Sequence, residues 1–184
     1  MELYYDLSKD DRILAVCDGW DAFGMANGGS KFATDVIGYP VWNFISGLDT
    51  RSYMNSIFFF CRSQGCPLSA LYRADSPDMI RVFCMSVEPR SDDGLRLRHE
   101  LVAEMPHWHE GRNLRHPRAV VQCSQCLSVQ AGATWRPEPG RAFRSREAIS
   151  YQVCPDCRHH LSRQIDTAMR TSPDRAAASG RLLA

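Results

Sequence analysis

Apolar and polar positions along the first half of the chain fall into short blocks with different periods. An apolar run over residues 13–17 stops at Asp18-Gly19 and predicts a buried strand followed by a turn. Over residues 20–26, apolar residues recur at near-helical spacing and stop before a glycine pair, which predicts a short helix. Residues 1–12 are polar and acidic, and predict either a short leading helix or an extended arm.

The clearest helical pattern begins at Asp49 and ends at Arg62. Its apolar residues fall mostly on one broad face, as in a helix that packs on a core. Asp49 is the predicted N-cap, because a carboxylate accepts hydrogen bonds from free backbone N–H groups in the first turn. Gly65, followed by Cys66 and Pro67, predicts the end of the helix.

Three strand candidates follow this helix, over residues 68–74, 79–88 and 95–104. In the third, Leu95, Leu97, His99 and Leu101 alternate with charged residues, a period-2 pattern typical of a half-buried antiparallel strand. The first part of the chain is therefore predicted to be α+β, with a strand, short helices, a longer helix and a three-stranded meander.

The sign of the charge changes along the chain. Residues 1–106 hold 10 basic and 15 acidic side chains, a balance of −5, whereas residues 107–184 hold 12 basic and 6 acidic ones, a balance of +6. Such a change favours two units with different surfaces. We predict a domain over residues 1–105, a linker over 106–119, a second module over 120–170 and a disordered tail over 171–184.

Eight cysteines fall into two classes. Four are scattered at positions 17, 61, 66 and 84 and are expected to be small buried residues. The other four form two C-x-x-C pairs separated by 27 residues: Cys123, Cys126, Cys154 and Cys157. Each pair lets two thiolates converge from one tight turn, and two such turns complete the tetrahedral four-sulfur shell of a structural Zn²⁺ site.

Iron and redox-active disulfides remain open as alternatives to zinc. In a rubredoxin-like iron centre the residue after each pair is usually Gly, whereas here it is Leu127 and Arg158. Two matched pairs favour one shared ion over two disulfides. The span between the pairs has the turn residues and short apolar stretches of β-hairpins, and with the cysteines it resembles a zinc ribbon. Zn²⁺ is therefore the predicted cofactor.

Three stretches within residues 13–104 predict secondary-structure elements in a characteristic order along the chain. A strand leads into a helix with an aromatic residue and a small-residue turn, in the sequence V-C-D-G-W-D-A-F of residues 16–23 and A-N-G-G of residues 26–29. Residues 37–45, I-G-Y-P-V-W-N-F-I, precede the long helix, and the meander closes the unit. This order, over residues 13–104, resembles a PAS domain. The resemblance implies an antiparallel sheet with flanking helices, a sensory or protein-interaction role and a homodimer.

The cofactor signatures of PAS proteins are not matched here. The flavin-binding light sensors carry a reactive Cys in a G-R-N-C-R-F-L-Q motif, and none of the scattered cysteines lies in such a context. Haem-binding members place a His on a central helix, whereas residues 13–98 contain no His and His99 lies in the last predicted strand. The resemblance therefore implies a PAS-like unit without a fixed haem or flavin, and a ligand for its pocket stays unknown.

Three classes of function can be compared on these observations: a regulatory protein, a nucleic-acid-binding protein and an enzyme. We expect a non-enzymatic signalling or regulatory protein that contacts a protein partner. The alternative is a zinc-ribbon regulator whose arginines bind nucleic acid. An enzyme is not favoured, because no catalytic motif is found and a four-cysteine zinc has no open coordination position.

The expected location is the cytoplasm. The start of the chain has no basic or apolar stretch typical of a signal peptide. Its longest uninterrupted apolar run, residues 57–61, is far shorter than the roughly 18 residues of a membrane span. We therefore predict no contact with a membrane.

Overall fold

The computed structural model describes residues 3–26, 32–75, 79–106, 120–137 and 149–171. The predicted linker beyond residue 106 and the predicted tail beyond residue 171 lie outside the described residues. The fold is α+β, as the sequence predicted. Its described strands are β1 (Leu3–Leu7), β2 (Ile13–Val16), β3 (Leu68–Arg73), β4 (Met79–Pro89), β5 (Leu95–Pro106), β6 (Val120–Cys123), β7 (Val129–Ala131), β8 (Thr134–Arg136) and β9 (Ile149–Gln152). The described helices are α1 (Trp20–Ala26), α2 (Ala33–Val36), α3 (Leu48–Gln64) and α4 (Pro155–Thr171), with a 3₁₀ turn over Val41–Asn43.

The first five strands form one antiparallel sheet in the order β2-β1-β5-β4-β3. The predicted strand, helices and closing meander are confirmed in this unit, which we call the five-stranded unit (β1 to β5 with α1 to α3). The predicted leading segment is an extended strand rather than a helix, and β1 lies between β2 and β5 in the interior of the sheet.

A buried carboxylate explains how a polar segment forms an interior strand. Asp6 of β1 lies opposite Arg96 of β5, and its two carboxylate oxygens accept hydrogen bonds of 2.7 Å each from that guanidinium. Arg90 adds a third bond of 3.0 Å. The hydrogen bonding of Arg96 lowers the pKa of Asp6, so the buried charge is compensated within the sheet.

Helix α3 packs on the sheet face opposite to the one that carries Asp6 and Arg96, and it forms the centre of the core. Ile57, Phe58 and Cys61 are almost completely buried there, and the thiol of Cys61 donates a 3.5 Å hydrogen bond to the Val87 carbonyl. The helix ends as predicted at Gly65, whose φ of 61° is the left-handed conformation that glycine adopts most easily.

The beginning of α3 differs from the prediction. Its N-cap is Gly47, with a φ of 83°, and no side chain caps the helix. The prediction of Asp49 as N-cap is therefore wrong, because the helix already begins at Leu48 and Asp49 lies inside its first turn. That position leaves the Asp49 carboxylate available for a contact elsewhere in the chain.

The last four strands form a second sheet in the order β8-β7-β6-β9. Strand β6 is antiparallel to β7 and parallel to β9. Helix α4 follows β9 and begins at Pro155. Proline suits the first position of a helix because its missing N–H has no partner to lose there. We call β6 to β9 with α4 the cysteine module.

The core of the five-stranded unit continues into the cysteine module. Val153, which follows β9, and Leu161 of α4 are buried in the same apolar cluster as Ile57. Ile165 and Met169 of α4 pack against this cluster. None of the described helices is both long enough and apolar enough to cross a membrane.

Candidate metal centre

The two cysteine pairs meet at one point. The sulfur atoms of Cys123, Cys126, Cys154 and Cys157 all lie within 4.8 Å of one another. Across the two pairs, Cys123 Sγ is 3.9 Å from Cys157 Sγ and Cys126 Sγ is 3.6 Å from Cys154 Sγ. We call this group the four-cysteine centre.

These separations fit a tetrahedral four-sulfur shell. Zn–S bonds of about 2.3 Å in tetrahedral geometry place the sulfur atoms about 3.8 Å apart. All eight cysteines of the chain are free thiols, and the separations within the centre are far longer than an S–S bond. The four-cysteine centre could therefore hold one metal ion.

Each pair is folded so that backbone N–H groups point at sulfur. The first pair follows β6, and Cys123 Sγ accepts hydrogen bonds from the N–H groups of Gln125 at 3.4 Å and Cys154 at 3.3 Å. The second pair opens α4, and Cys154 Sγ accepts from the N–H of Cys157 at 3.5 Å. Such bonds stabilise negative charge on a thiolate, the form of cysteine that binds metal.

The turn after the first pair has an unusual residue. Leu127 has a φ of 58°, the left-handed conformation in which glycine is common and a branched side chain is strained. Rubredoxin-like iron centres usually have glycine at this same position. The backbone of the turn thus has the conformation that glycine favours, although the residue is leucine.

Burial and crowding oppose full ionisation of the four thiols. Burial raises the pKa of Cys154 to about 11. The pKa of Cys157 is raised by the hydrogen bonding of its thiol with Cys123 and Cys126, while the pKa of Cys126 is lowered by hydrogen bonding with Cys123 and Cys157. Four thiolates at this spacing need a compensating cation, and a divalent metal ion would supply one.

Tyr53 of α3 lies beside the centre. It is 5% exposed, and its pKa is raised by burial and, to a smaller extent, by the nearby cysteines, Cys157 first. A neutral phenol is therefore held near the sulfur atoms.

Two backbone contacts join the cysteine pairs to the five-stranded unit. Within the first pair, the Gln125 carbonyl accepts a 2.6 Å hydrogen bond from the N–H of Arg73, the last residue of β3. Before the second pair, the N–H of Val153 donates to the carboxylate of Asp49 in α3. The sequence patterns gave no sign of either contact, because both partners lie in distant elements.

The other histidines and cysteines among the described residues do not join the four-cysteine centre. His159 and His160 are exposed on α4, and the four scattered cysteines belong to no described metal-ligand cluster. Cys17 and Cys61 are buried as expected, whereas Cys66 and Cys84 are only partly buried. The alternating His107 and His109 of the H-W-H sequence are a pattern that could bind a second metal, and they lie outside the described residues.

His99 lies among aromatic rings on the inner face of the sheet. Its Nδ1 is 2.8 Å from the hydroxyl of Tyr72, and its ring stacks on Tyr5 with centroids 5.5 Å apart. Its Nε2 is buried without a hydrogen-bond partner among the described residues. Burial lowers the pKa of His99 to about 4, so the imidazole is neutral at pH 7.

Comparison with known proteins leaves the family of this chain open. No protein-family model and no curated protein matches its sequence. Among solved structures, a domain of an HTR-like protein from Haloarcula marismortui is similar to part of the chain, with 12% sequence identity and a TM-score of 0.39. The match covers 55% of this chain and 98% of that domain. Similarity at this level assigns neither a family nor a function.

Proposed function

We propose that this chain is a non-enzymatic signalling or regulatory protein with a structural Zn²⁺ at the four-cysteine centre. In this proposal the five-stranded unit is a PAS-like domain that senses a signal or docks a protein, and the cysteine module contacts a partner. The observation that supports the proposal is the convergence of four cysteine sulfur atoms, because an ion bound by all four would have no open position for a substrate or an activated water.

The choice of zinc rests on the chemistry of the ligands. Four thiolates in a tetrahedral arrangement suit Zn²⁺ or iron, and a small β module with few buried apolar residues gains most of its stability from such an ion. We prefer zinc because Leu127 and Arg158 occupy the positions at which rubredoxin-like iron centres usually have glycine. An iron-loaded chain would be coloured, whereas a zinc-loaded one is not.

A metal exchange experiment tests whether the shell is closed. The chain purified without added metal is expected to contain one zinc ion by elemental analysis. After replacement by Co²⁺, the visible spectrum should be that of a tetrahedral four-sulfur site and should not change on addition of imidazole. A spectrum that shifts with imidazole would indicate an open coordination position and would favour a catalytic role.

The PAS-like assignment is supported by the order of elements in the five-stranded unit. Strand β2, short helices, the long helix α3 and an antiparallel meander follow one another in the order on which the resemblance rests. The purified chain should be colourless, since the flavin motif is missing and His99 already shares its Nδ1 with Tyr72. A haem or flavin spectrum that follows the protein through gel filtration would overturn this part of the proposal.

A homodimer is proposed on the resemblance alone. Light scattering during size-exclusion chromatography measures the mass of the assembly directly. A mass twice that of the 20.8 kDa chain at micromolar concentration would support the homodimer. A monomer under the same conditions would restrict the docking role to other proteins.

Nucleic-acid binding remains the alternative function. Among the described basic residues of the cysteine module, Arg163 and Arg170 are exposed on α4, together with the acidic Asp166. Arg158 is paired with Asp49 instead of being free for a phosphate. Fluorescence anisotropy with labelled DNA and RNA over a range of salt concentrations tests the alternative, because each neutralised phosphate steepens the salt dependence. Tight, sequence-selective binding at physiological salt would favour nucleic-acid binding over the signalling role proposed above.

A further inference from the structure

The start of α3 and the second cysteine pair meet at one carboxylate. One oxygen of Asp49 accepts the N–H of Val153 at 2.5 Å, and the other forms an ion pair with Arg158. Val153 directly precedes Cys154, and Arg158 directly follows Cys157. A single side chain of the five-stranded unit therefore holds both ends of the second pair.

Arg158 completes a ring of three hydrogen-bonded residues. Its Nε donates a 3.2 Å bond to the carbonyl of Val153, whose N–H is already bonded to Asp49. The Arg158 side chain is 48% exposed, so solvent screens its ion pair. Val153 is 4% exposed, and its N–H would lose its acceptor without Asp49. The backbone bond therefore contributes more than the ion pair.

The first turn of α3 also lies close to β9. A Cβ added at Gly47 would be 3.0 Å from the carbonyl oxygen of Tyr151, so the two backbones approach each other closely. The start of α3 thus contacts both the strand before the second pair and the residues that flank the pair.

We propose that Asp49 is a positioning residue of the four-cysteine centre and couples metal occupancy to the start of α3. This inference rests on the proposed metal site. A bound ion fixes Cys154 and Cys157 in the arrangement that Asp49 also holds. Because coupling is reciprocal, displacement of the start of α3 lowers metal affinity, and loss of the metal loosens the start of α3. A signal received by the five-stranded unit would then alter the cysteine module through this helix.

Metal affinity of the full chain tests the positioning role. Competition for Zn²⁺ against a chromophoric chelator, at one fixed pH, compares the unchanged chain with Asp49→Asn and Asp49→Ala. We expect the alanine variant to bind about 10- to 100-fold more weakly, the usual effect of removing a group that orients a ligand. The asparagine variant should lose less affinity, because its amide oxygen can still accept the N–H of Val153 and only the screened ion pair with Arg158 is lost.

Asp166→Asn is the matched control for this measurement. It makes the same change of charge on the exposed surface of α4, and among the described residues the Asp166 side chain has no hydrogen bond or ion pair. Its affinity should stay within about twofold of the unchanged chain, since exposed charges at a distance are screened. An equal loss in Asp49→Ala and Asp166→Asn would show a general effect of charge and overturn the positioning role.

Hydrogen exchange of the unchanged chain tests the coupling without any variant. Removing Zn²⁺ with a chelator should speed exchange at the N–H of Val153 and in the first turns of α3, while the buried turn around Cys61 stays protected. If metal removal leaves the start of α3 unaffected, or if Asp49→Ala binds Zn²⁺ as tightly as the unchanged chain, the inference is wrong. If the unchanged chain binds no metal, both the metal site and this inference are overturned.

Discussion

Tyr72 of β3 and His99 of β5 are joined by a hydrogen bond of 2.8 Å between the phenol oxygen and Nδ1. The pair lies within an aromatic cluster, in which Tyr72 stacks on Phe83 and His99 stacks on Tyr5. Burial raises the pKa values of both tyrosines and lowers that of His99, so all three side chains are neutral at pH 7. No charged group in this cluster would favour a protonated imidazole.

The first prediction concerns the pH dependence of stability. The pKa of His99 is lowered to about 4, against about 6.5 in the unfolded chain, so the unfolded state binds the proton first as pH falls. The contribution of His99 is complete above pH 6.5 and is lost between about pH 6.5 and 4. The shift corresponds to a loss on the order of 3 kcal/mol in the free energy of unfolding.

Urea unfolding at several pH values measures this effect. His99→Gln should have a smaller decrease in unfolding free energy between pH 6.5 and 4 than the unchanged chain. Comparing the two chains at each pH cancels the titration of the thiols, which both retain. His160→Gln, at an exposed histidine of α4, should keep the full pH dependence. If the two variants respond alike to pH, His99 is not the group responsible.

The elements that could be predicted from the sequence are those in which apolar residues recur at a regular spacing. Helix α3 and strands β3 to β5 each present one apolar face to the same core, so their patterns are visible within a single window of residues. Strand β1 was ambiguous because Asp6 occupies a position where strands seldom carry a carboxylate. Its compensation by Arg96 depends on pairing with a strand some ninety residues away in sequence.

The ligands of the centre could be predicted, but the residues that support them could not. Two C-x-x-C pairs are a local signal with a recognised spacing. Asp49 was predicted as the N-cap of α3 because a carboxylate there can accept backbone N–H bonds. The same property lets it accept the N–H of Val153 instead. Only the tertiary structure distinguishes the two roles, because Val153 lies 104 residues further along the chain.

A second prediction concerns the carboxylate buried in the first sheet. Asp6→Asn should lower the free energy of unfolding by about 2 kcal/mol at pH 7, because it removes charge-assisted bonds to Arg96 and Arg90. The pKa of Asp6 is lowered in the folded state, so its contribution is complete above the usual carboxyl pKa and is lost as pH falls through the folded value. The difference between the variant and the unchanged chain should therefore shrink in acid.

Asp10→Asn provides the comparison for this measurement. Asp10 is exposed in the turn between β1 and β2, where the same change of charge should alter stability by less than about 0.5 kcal/mol. Chemical denaturation followed by circular dichroism at pH 7 and pH 4 gives both values. A loss at Asp6 that is no larger than at Asp10 would contradict a structural role for the buried carboxylate.

A third prediction tests the core that the two units share. Leu161 of α4 is 7% exposed in the same cluster as Ile57, so Leu161→Ala should reduce the free energy of unfolding by about 2 kcal/mol or more. Leu48→Ala is the control, because Leu48 is 85% exposed and its truncation should change stability by about 0.5 kcal/mol or less. Hydrogen exchange should show the Leu161 variant loosening α3 as well as α4. Loosening confined to α4 would show that the cysteine module unfolds separately.

The last prediction separates the two classes of cysteine. Cys154→Ser should lose nearly all bound zinc, because three thiolates must then take a poorer fourth ligand, and structural zinc contributes on the order of 10 kcal/mol in small folds. Cys17→Ser should keep its zinc and cost about 1–3 kcal/mol through a buried hydroxyl. The remaining cysteines should divide in the same way, with Cys123, Cys126 and Cys157 needed for metal and Cys61, Cys66 and Cys84 dispensable. Zinc per chain by elemental analysis, measured on each purified variant, is the readout. Loss of metal in a variant of the scattered class, with metal retained in a variant of the paired class, would show that the ligands have been assigned wrongly.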